Sequence, residues 1–473
     1  MTVVAILVYL FLLGVVSLVA ARSDKSHNAS NVGFFIGGRR SPWWAVSIGM
    51  VGASVSGVTF VSVPGWVTSI QFTYLQMAMG FFFGYILVAY WLLPIYYRAN
   101  QVSIYAILEE NLGGYGRMTA ALCFLLNKIL SSAVKLYVVV LVLHRLVFVD
   151  WGVPFWGVAF ISLLIVWLYT YKNGIRTIVW TDMLQTVLLV VALVMLIRAL
   201  IDMSDISLGG AVTIVYESPL SKIFEWDDWS DRQHFVKQFL NGVLIVLVMT
   251  GLDQDMMQKN LSCRTLKESQ RNMLTYGVLF FPLNLLFLSL GLLIVWFYTK
   301  DGGDLPMTGD ALLPYFAKNA GEVATACFVV GMLASTFSSV DSAITSITTS
   351  LSTDFKKNEI DKKSRMVIHS LVTLLLGLIV VILQHLSNEH AIDFIYMIVV
   401  FFYGPLLGMF AFALMNKHHC KSRAIPFVAL ISILVTYCVK IFLMSMLSYE
   451  IGYELLLLNG GITYVGLLCV RGR

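Results

Sequence analysis

Gly52-Ala53-Ser54-Val55-Ser56-Gly57 and Thr250-Gly251-Leu252-Asp253-Gln254 interrupt two apolar runs, 44–70 and 235–254, with small and polar residues near mid-membrane depth. Lipid cannot satisfy the backbone groups that a broken helix frees, so a break persists only where it lines a cavity and faces ions or substrate. The competing explanation is that glycine and serine let neighbouring helices pack closely. Either segment alone leaves the two readings balanced. Their corresponding placement in two halves of one chain favours paired broken helices.

The rest of the chain fits that reading. Of its 473 residues 58% are hydrophobic and 12% charged, a balance that excludes a water-soluble globular protein. About thirteen spans of bilayer length follow one another: 3–21, 44–70, 74–96, 118–147, 154–171, 178–201, 235–254, 273–298, 323–351, 366–386, 391–415, 424–446 and 453–470. The first lacks a basic leader and a small-residue cleavage site, so it reads as a retained helix. Without it, helices two to six (44–201) and seven to eleven (235–415) form two blocks of five, and an odd number per block inverts the second. The expected fold is thus all-α and integral to the membrane, a single transporter domain. It has a five-plus-five inverted repeat, one preceding helix (3–21) and two following ones (424–470).

Lys and Arg fall in alternate loops: Arg22, Lys25, Arg39 and Arg40; Arg98 and Arg117; Lys172 and Arg176; Lys259, Arg264, Lys267 and Arg271. The series continues through Lys356, Lys357, Lys362, Lys363 and Arg365, then Lys417, Lys421 and Arg423, to Arg471 and Arg473. The positive-inside rule makes that side cytosolic, with the amino terminus outside and the carboxyl terminus in the cytosol. A net charge of +5 distributed this way gives no basic patch for nucleic acid. The six cysteines show no metal-ligand spacing, and the adjacent His418, His419 and Cys420 point in different directions, so no structural metal is expected.

Within 323–351, Ser335, Ser338, Ser339 and Ser342 share one helix face at i, i+3, i+4, i+7. Opposite the carbonyls of a broken neighbour, such a stripe supplies the hard oxygen ligands that a dehydrated alkali cation needs; sodium is the natural candidate. A hydroxyl stripe that only mediates helix packing is the alternative. Asp341 in the same helix and Asp182 in Trp180-Thr181-Asp182-Met183-Leu184-Gln185 are carboxylates inside spans, expensive unless paired or functional. Either is able to ligate a cation or carry a proton, and Asp182 lies near enough to the cytosolic end for partial hydration. Lys128 and Lys135, two turns apart with Ser131 and Ser132 between them, present positive charge to a cavity and suit an anionic solute. Alternatively Lys128 snorkels to the cytosolic interface and Lys135 pairs with Asp182 or Asp341.

Across most of its length the chain resembles the sodium/solute symporter family, which includes bacterial sialic acid, proline and sugar transporters. The resemblance rests on Phe35-Ile36-Gly37-Gly38-Arg39-Arg40, on Ser54 to Gly65, on Trp180 to Gln185, on Asp253-Gln254-Asp255-Met256-Met257-Gln258-Lys259, on Ser338 to Asp354, and on Gly404-Pro405-Leu406-Leu407-Gly408. It implies a LeuT-type fold and a sodium site made of the carbonyls of Gly52, Val55 and Ser335 with the hydroxyls of Ser338 and Ser339. It further implies a second sodium site of Asp182, Ser338, Asp341 and Ser342, where an acid at position 341 replaces the serine expected from the family. Where sugar-transporting members carry polar groups, this chain has Val246, Met249 and Phe280, which offer a polyol no useful hydrogen bonds. Gln76, Ser131, Lys135, Thr250, Tyr396 and Tyr403 are the candidate solute-facing residues.

The expected activity is therefore inward sodium flow coupled to uptake of a small organic solute, with an anionic carboxylate favoured, by alternating access in a bacterial inner (plasma) membrane. Lipid and solute are the expected partners, with no obligate protein partner inferred and no enzymatic role. The rivals are a proton-coupled or ion-independent transporter on the same fold, an ion channel and a membrane-embedded enzyme. No nucleotide loop, metalloprotease helix or serine nucleophile elbow supports the last.

Overall fold

The computed structural model describes residues 1–22, 31–172, 174–229, 231–355, 360–386, 391–416, 420–447 and 452–471. Lys25, Lys356, Lys357, Lys417, His418, His419, Arg473 and the side chain of Tyr396 lie outside the described residues. Among those described, the chain is built from helices, and extended pairing is confined to isolated bridges between Ser41 and Cys263 and between Cys420 and Arg471.

The helices that position the site are α1 (Thr2–Arg22), α2 (Trp43–Ser54), α3 (Gly57–Gly65), α4 (Tyr74–Ala99), α5 (Glu109–Leu143), α6 (Phe155–Thr170), α7 (Ile175–Ser204), α8 (Phe235–Gly251) and α9 (Gln254–Leu261). After them come α10 (Leu266–Thr299), α11 (Glu322–Thr353), α12 (Lys362–Leu386), α13 (Ala391–Met415), α14 (Ile425–Leu447) and α15 (Glu454–Cys469). By length and composition eight helices are able to cross a bilayer, or ten when each bent pair is one span. The bent pairs are α2 with α3, at 64°, and α8 with α9, at 67°. Three further apolar helices, α6, α13 and α15, stand where the sequence places its remaining spans.

The outer helices show how the sequence sorts lipid from protein. In α1 the buried residues Tyr9, Leu13, Ser17 and Ala20 follow helical spacing and form one face, while Phe11 and Leu18 stay exposed on the other. That buried face packs on α7 and α11, with the Tyr9 hydroxyl accepting from Gln185 Nε2 at 2.9 Å.

At the centre α7 lies between α2 and α11, and α10 packs on both α2 and α4. Between apolar helices in lipid the driving force is close packing and interhelical hydrogen bonding rather than escape from water. The contact of α4 with α8 is made that way. A methyl group on Gly80 would lie 2.1 Å from the Phe239 carbonyl oxygen, and one on Gly242 2.2 Å from that of Met77. Backbone meets backbone there, which joins a helix of the first block to one of the second.

Candidate ion and solute site

At the first break the chain leaves α2 at Ser54 and re-enters a helix at Gly57, with Ser56 capping α3 by accepting from Thr59 N at 3.3 Å. The Ser54 hydroxyl donates to Met50 O at 2.8 Å and accepts from Tyr276 at 2.6 Å, and Tyr276 in turn accepts from Tyr85 at 2.8 Å. Ser339 on α11 closes the other side, where its Oγ reaches Ala53 O at 2.8 Å and Ser335 O at 3.2 Å. No turn, cap or side-chain hydrogen bond to the Gly52 or Val55 carbonyl is found among the described residues. The glycines also serve close packing, since a Cβ on Gly52 would lie 2.1 Å from Thr186 Oγ1 and one on Gly49 2.9 Å from Asp182 Cβ. Close packing and a break in the helix therefore coexist in this segment.

One turn away, the Asp182 carboxylate of α7 is fully buried and not hydrated at the cytosolic end as the sequence suggests. Ser338 donates to its Oδ1 at 2.6 Å, and Ser342 Oγ lies 3.4 Å from its Oδ2. Asp341 is equally buried, with Oδ1 3.1 Å from Ser342 Oγ and Oδ2 accepting from Tyr169 at 2.9 Å. The fold thus brings together Asp182, Ser338, Asp341 and Ser342. It adds a member that sequence reasoning missed: Lys259 Nζ lies 2.7 Å from Asp182 Oδ2. Counted in the sequence as a cytosolic loop charge, Lys259 is instead 1% exposed and sits inside α9, the second half of a broken span. Arg365, also read as a loop charge, is buried with its guanidinium 4.0 Å over the Phe34 ring. An isolated ammonium inside a membrane protein is costly, and it is the Asp182 partner that compensates it.

The second break is sealed by charge and by tyrosines. Asp253 caps α9, its Oδ1 accepting from Asp255 N at 2.8 Å and Met256 N at 3.3 Å. Lys128 reaches across from α5 to Asp255 at 2.6 Å and to Asp253 at 3.3 Å, so it does not snorkel to the interface. Tyr403 on α13 donates to Asp253 Oδ2. The carbonyls that the break frees are taken by hydroxyls, Gly251 O by Tyr96 at 2.7 Å and Leu252 O by Tyr105 at 3.1 Å. The Gln254 amide is bound to Ile104 N and Val102 O.

The candidate solute residues divide by what they already hold. Gln76 is spent on the segment before α8, donating to Gln233 O at 2.9 Å and accepting from Glu225 N at 3.1 Å. Tyr403 holds Asp253, and the Ser131 hydroxyl turns back to Lys128 O at 3.4 Å. Thr250 is buried at the second break. Lys135 pairs with neither Asp182 nor Asp341, the partner of Asp182 being Lys259, and has no hydrogen bond or ion pair among the described residues. Val246 packs against Gly84, and the Phe280 ring lies 5.8 Å from that of Phe81 and 5.9 Å from that of Tyr276. The wall at these positions is apolar.

A model of the sodium:solute symporter family matches residues 34–431. The sodium/sialic acid symporter of Proteus mirabilis is 25% identical over 411 residues, which are 83% of this chain and 81% of that protein. The human sodium-coupled monocarboxylate transporter 2 is 25% identical over 336 residues, 69% of this chain and 53% of the relative. A solved Na+-coupled sialic acid symporter, substrate-bound and outward-open, superposes with a TM-score of 0.82 at 19% identity, covering 99% of this chain and 97% of that one. That likeness establishes the shared architecture.

Proposed function

We propose, because the chain belongs to the sodium:solute symporter family, that it takes up a small organic carboxylate driven by sodium bound at the first break. The observation that carries this is the pair of carbonyls of the buried residues Gly52 and Val55, without donors among the described residues and beside the hydroxyls of α11. Polar backbone groups in a membrane interior need a partner, and a dehydrated monovalent cation is the partner that several converging oxygens fit. Ser339 and Ser338 donate their protons to Ala53 O and Asp182 Oδ1, which leaves the lone pairs of both oxygens free. With the Ser335 carbonyl they complete the ligand set, binding α11 to the break.

Lys135 is the solute's anchor in this reading, since an unpaired cation on an inward helix face is stabilised by a carboxylate. Ser131, whose hydroxyl would turn from Lys128 O to the solute, and Thr250 at the second break would supply hydrogen bonds, and the apolar side chains of Val246 and Phe280 suit a carboxylate with an apolar body. Sodium enters from outside, holds α11 to the broken helix and completes the solute site, and both are released inward when the bundle rocks. The chain lies in the plasma membrane with its amino terminus outside and its carboxyl terminus in the cytosol, the arrangement that its basic loops favour. For a neutral solute each sodium contributes about 2.3 kcal/mol per 100 mV of potential. A monoanion carried with one sodium draws on the sodium gradient alone.

The decisive experiment is thermal unfolding of the purified protein in sodium against potassium at matched ionic strength. Sodium at about a hundred times its Kd stabilises by about 2.7 kcal/mol, and Ser338→Ala combined with Ser339→Ala abolishes the difference. Equal behaviour in the two salts would instead favour proton coupling, for which the buried Asp182 and Asp341 are the observation. Lys135→Met is expected to weaken carboxylate uptake about 10- to 100-fold, the loss of a charged hydrogen bond, while the sodium-specific stabilisation persists. Uptake assays over a panel of carboxylates check the first half, and the same melting experiment the second.

A further inference from the structure

The Asp182 cluster has the composition of a second cation site: carboxylates from α7 and α11 with two serine hydroxyls, all buried. It also already contains a cation. Lys259 Nζ stands 2.7 Å from Asp182 Oδ2, and the lysine is 1% exposed. Both oxygens of Asp182 are engaged, Oδ1 by Ser338 and Oδ2 by Lys259 with Ser342 nearby, and both oxygens of Asp341 are engaged by Ser342 and Tyr169. The presence of the second carboxylate, Asp341, offsets the desolvation of an ammonium that one acid alone would offset less well. A sodium ion placed on the same oxygens would lie beside that ammonium, where like charges repel strongly in a low-dielectric interior.

We infer that Lys259 is a tethered counter-cation that occupies the Asp182–Asp341 pocket in place of a sodium ion, so that this chain binds one sodium per cycle, at the first break. The inference rests on the sodium reading of that break. It gives α9 a further task. The ammonium is carried on the second half of a broken span, so it fastens that half-helix to α7 as a bound ion would fasten α11 to α2. Charge is then supplied by the chain itself at one of two neighbouring pockets and by the medium at the other.

The test counts radioactive sodium bound at saturation by the purified full-length protein. Wild type is expected to bind one ion per chain, Lys259→Met two, and Lys259→Arg one, because arginine keeps the cation. Ser339→Ala is expected to bind none, and Ser339→Ala with Lys259→Met one. Two ions on wild type, or one ion still bound by Ser339→Ala, would overturn the inference while leaving sodium binding intact. A single ion on a monodisperse Lys259→Met protein would overturn it as well. No binding by wild type with one ion on Lys259→Met would sustain the tethered cation and sink the first-break sodium site; no binding by either would sink both. If Lys259→Met fails to fold, wild type against Ser339→Ala decides alone.

Discussion

The two breaks bend by nearly the same angle, 64° and 67°, and both restart on a side-chain cap, Ser56 in one and Asp253 in the other. They are completed by opposite means. Around the first the side-chain partners among the described residues are neutral, and the Gly52 and Val55 carbonyls show no turn, cap or side-chain donor there. Around the second, Tyr96 and Tyr105 cover the carbonyls while Lys128 and Tyr403 hold the cap. On the proposed sodium reading the first break is a receptor, whereas the second is a joint closed by its own side chains. Equal geometry in two repeats does not imply equal ligand chemistry.

This contrast is breakable by mutation. The largest effect is expected at the second break. Lys128→Met strands Asp253 and Asp255 without their cation, and breaking a buried pair costs about 3–5 kcal/mol. Thermal unfolding should show that loss equally in sodium and in potassium; a loss confined to sodium would erase the distinction between the breaks. Next comes Gly52→Ala, whose methyl would meet Thr186 Oγ1 at 2.1 Å. Overpacking of that size costs about 1–3 kcal/mol, and because it displaces a carbonyl proposed as a sodium ligand, it should also weaken the sodium-specific part of the melting shift. Smallest is Tyr96→Phe, which leaves the Gly251 carbonyl without its hydroxyl at about 1 kcal/mol and should leave sodium binding unchanged in the same assay.

Much of this was legible from residue order, and what was not has an identifiable cause. Small polar residues inside apolar runs mark both breaks because lipid tolerates nothing else there, and the Ser335 to Ser342 stripe follows from helical spacing alone. The family model over 34–431 and the superposed architecture agree with the fold and sodium coupling read from those signals. Lys259 was misplaced because loop-charge counting treats every lysine beyond a break as aqueous, whereas the chain turns back into the protein as α9. The partners of Lys128 and Asp182 escaped for a related reason: both lie on α9 or at its cap, and no periodicity reports which distant helix a charge will meet. Likewise, Gln76 looks free along its own helix and is occupied by the segment that precedes α8.

The glycine-faced contact between α4 and α8 carries a consequence for biosynthesis. When α4 leaves the ribosome, the backbone that will cover Gly80 and Gly84 has not been made, and neither have Tyr276 and Ser339, which close the first break. At about 5–20 residues per second, the roughly 150 residues between α4 and α8 take on the order of ten to thirty seconds. For that interval the first half waits in the bilayer with its groove at Gly80 and Gly84 bare and the Ser54 hydroxyl and Ala53 carbonyl at its break without their later partners.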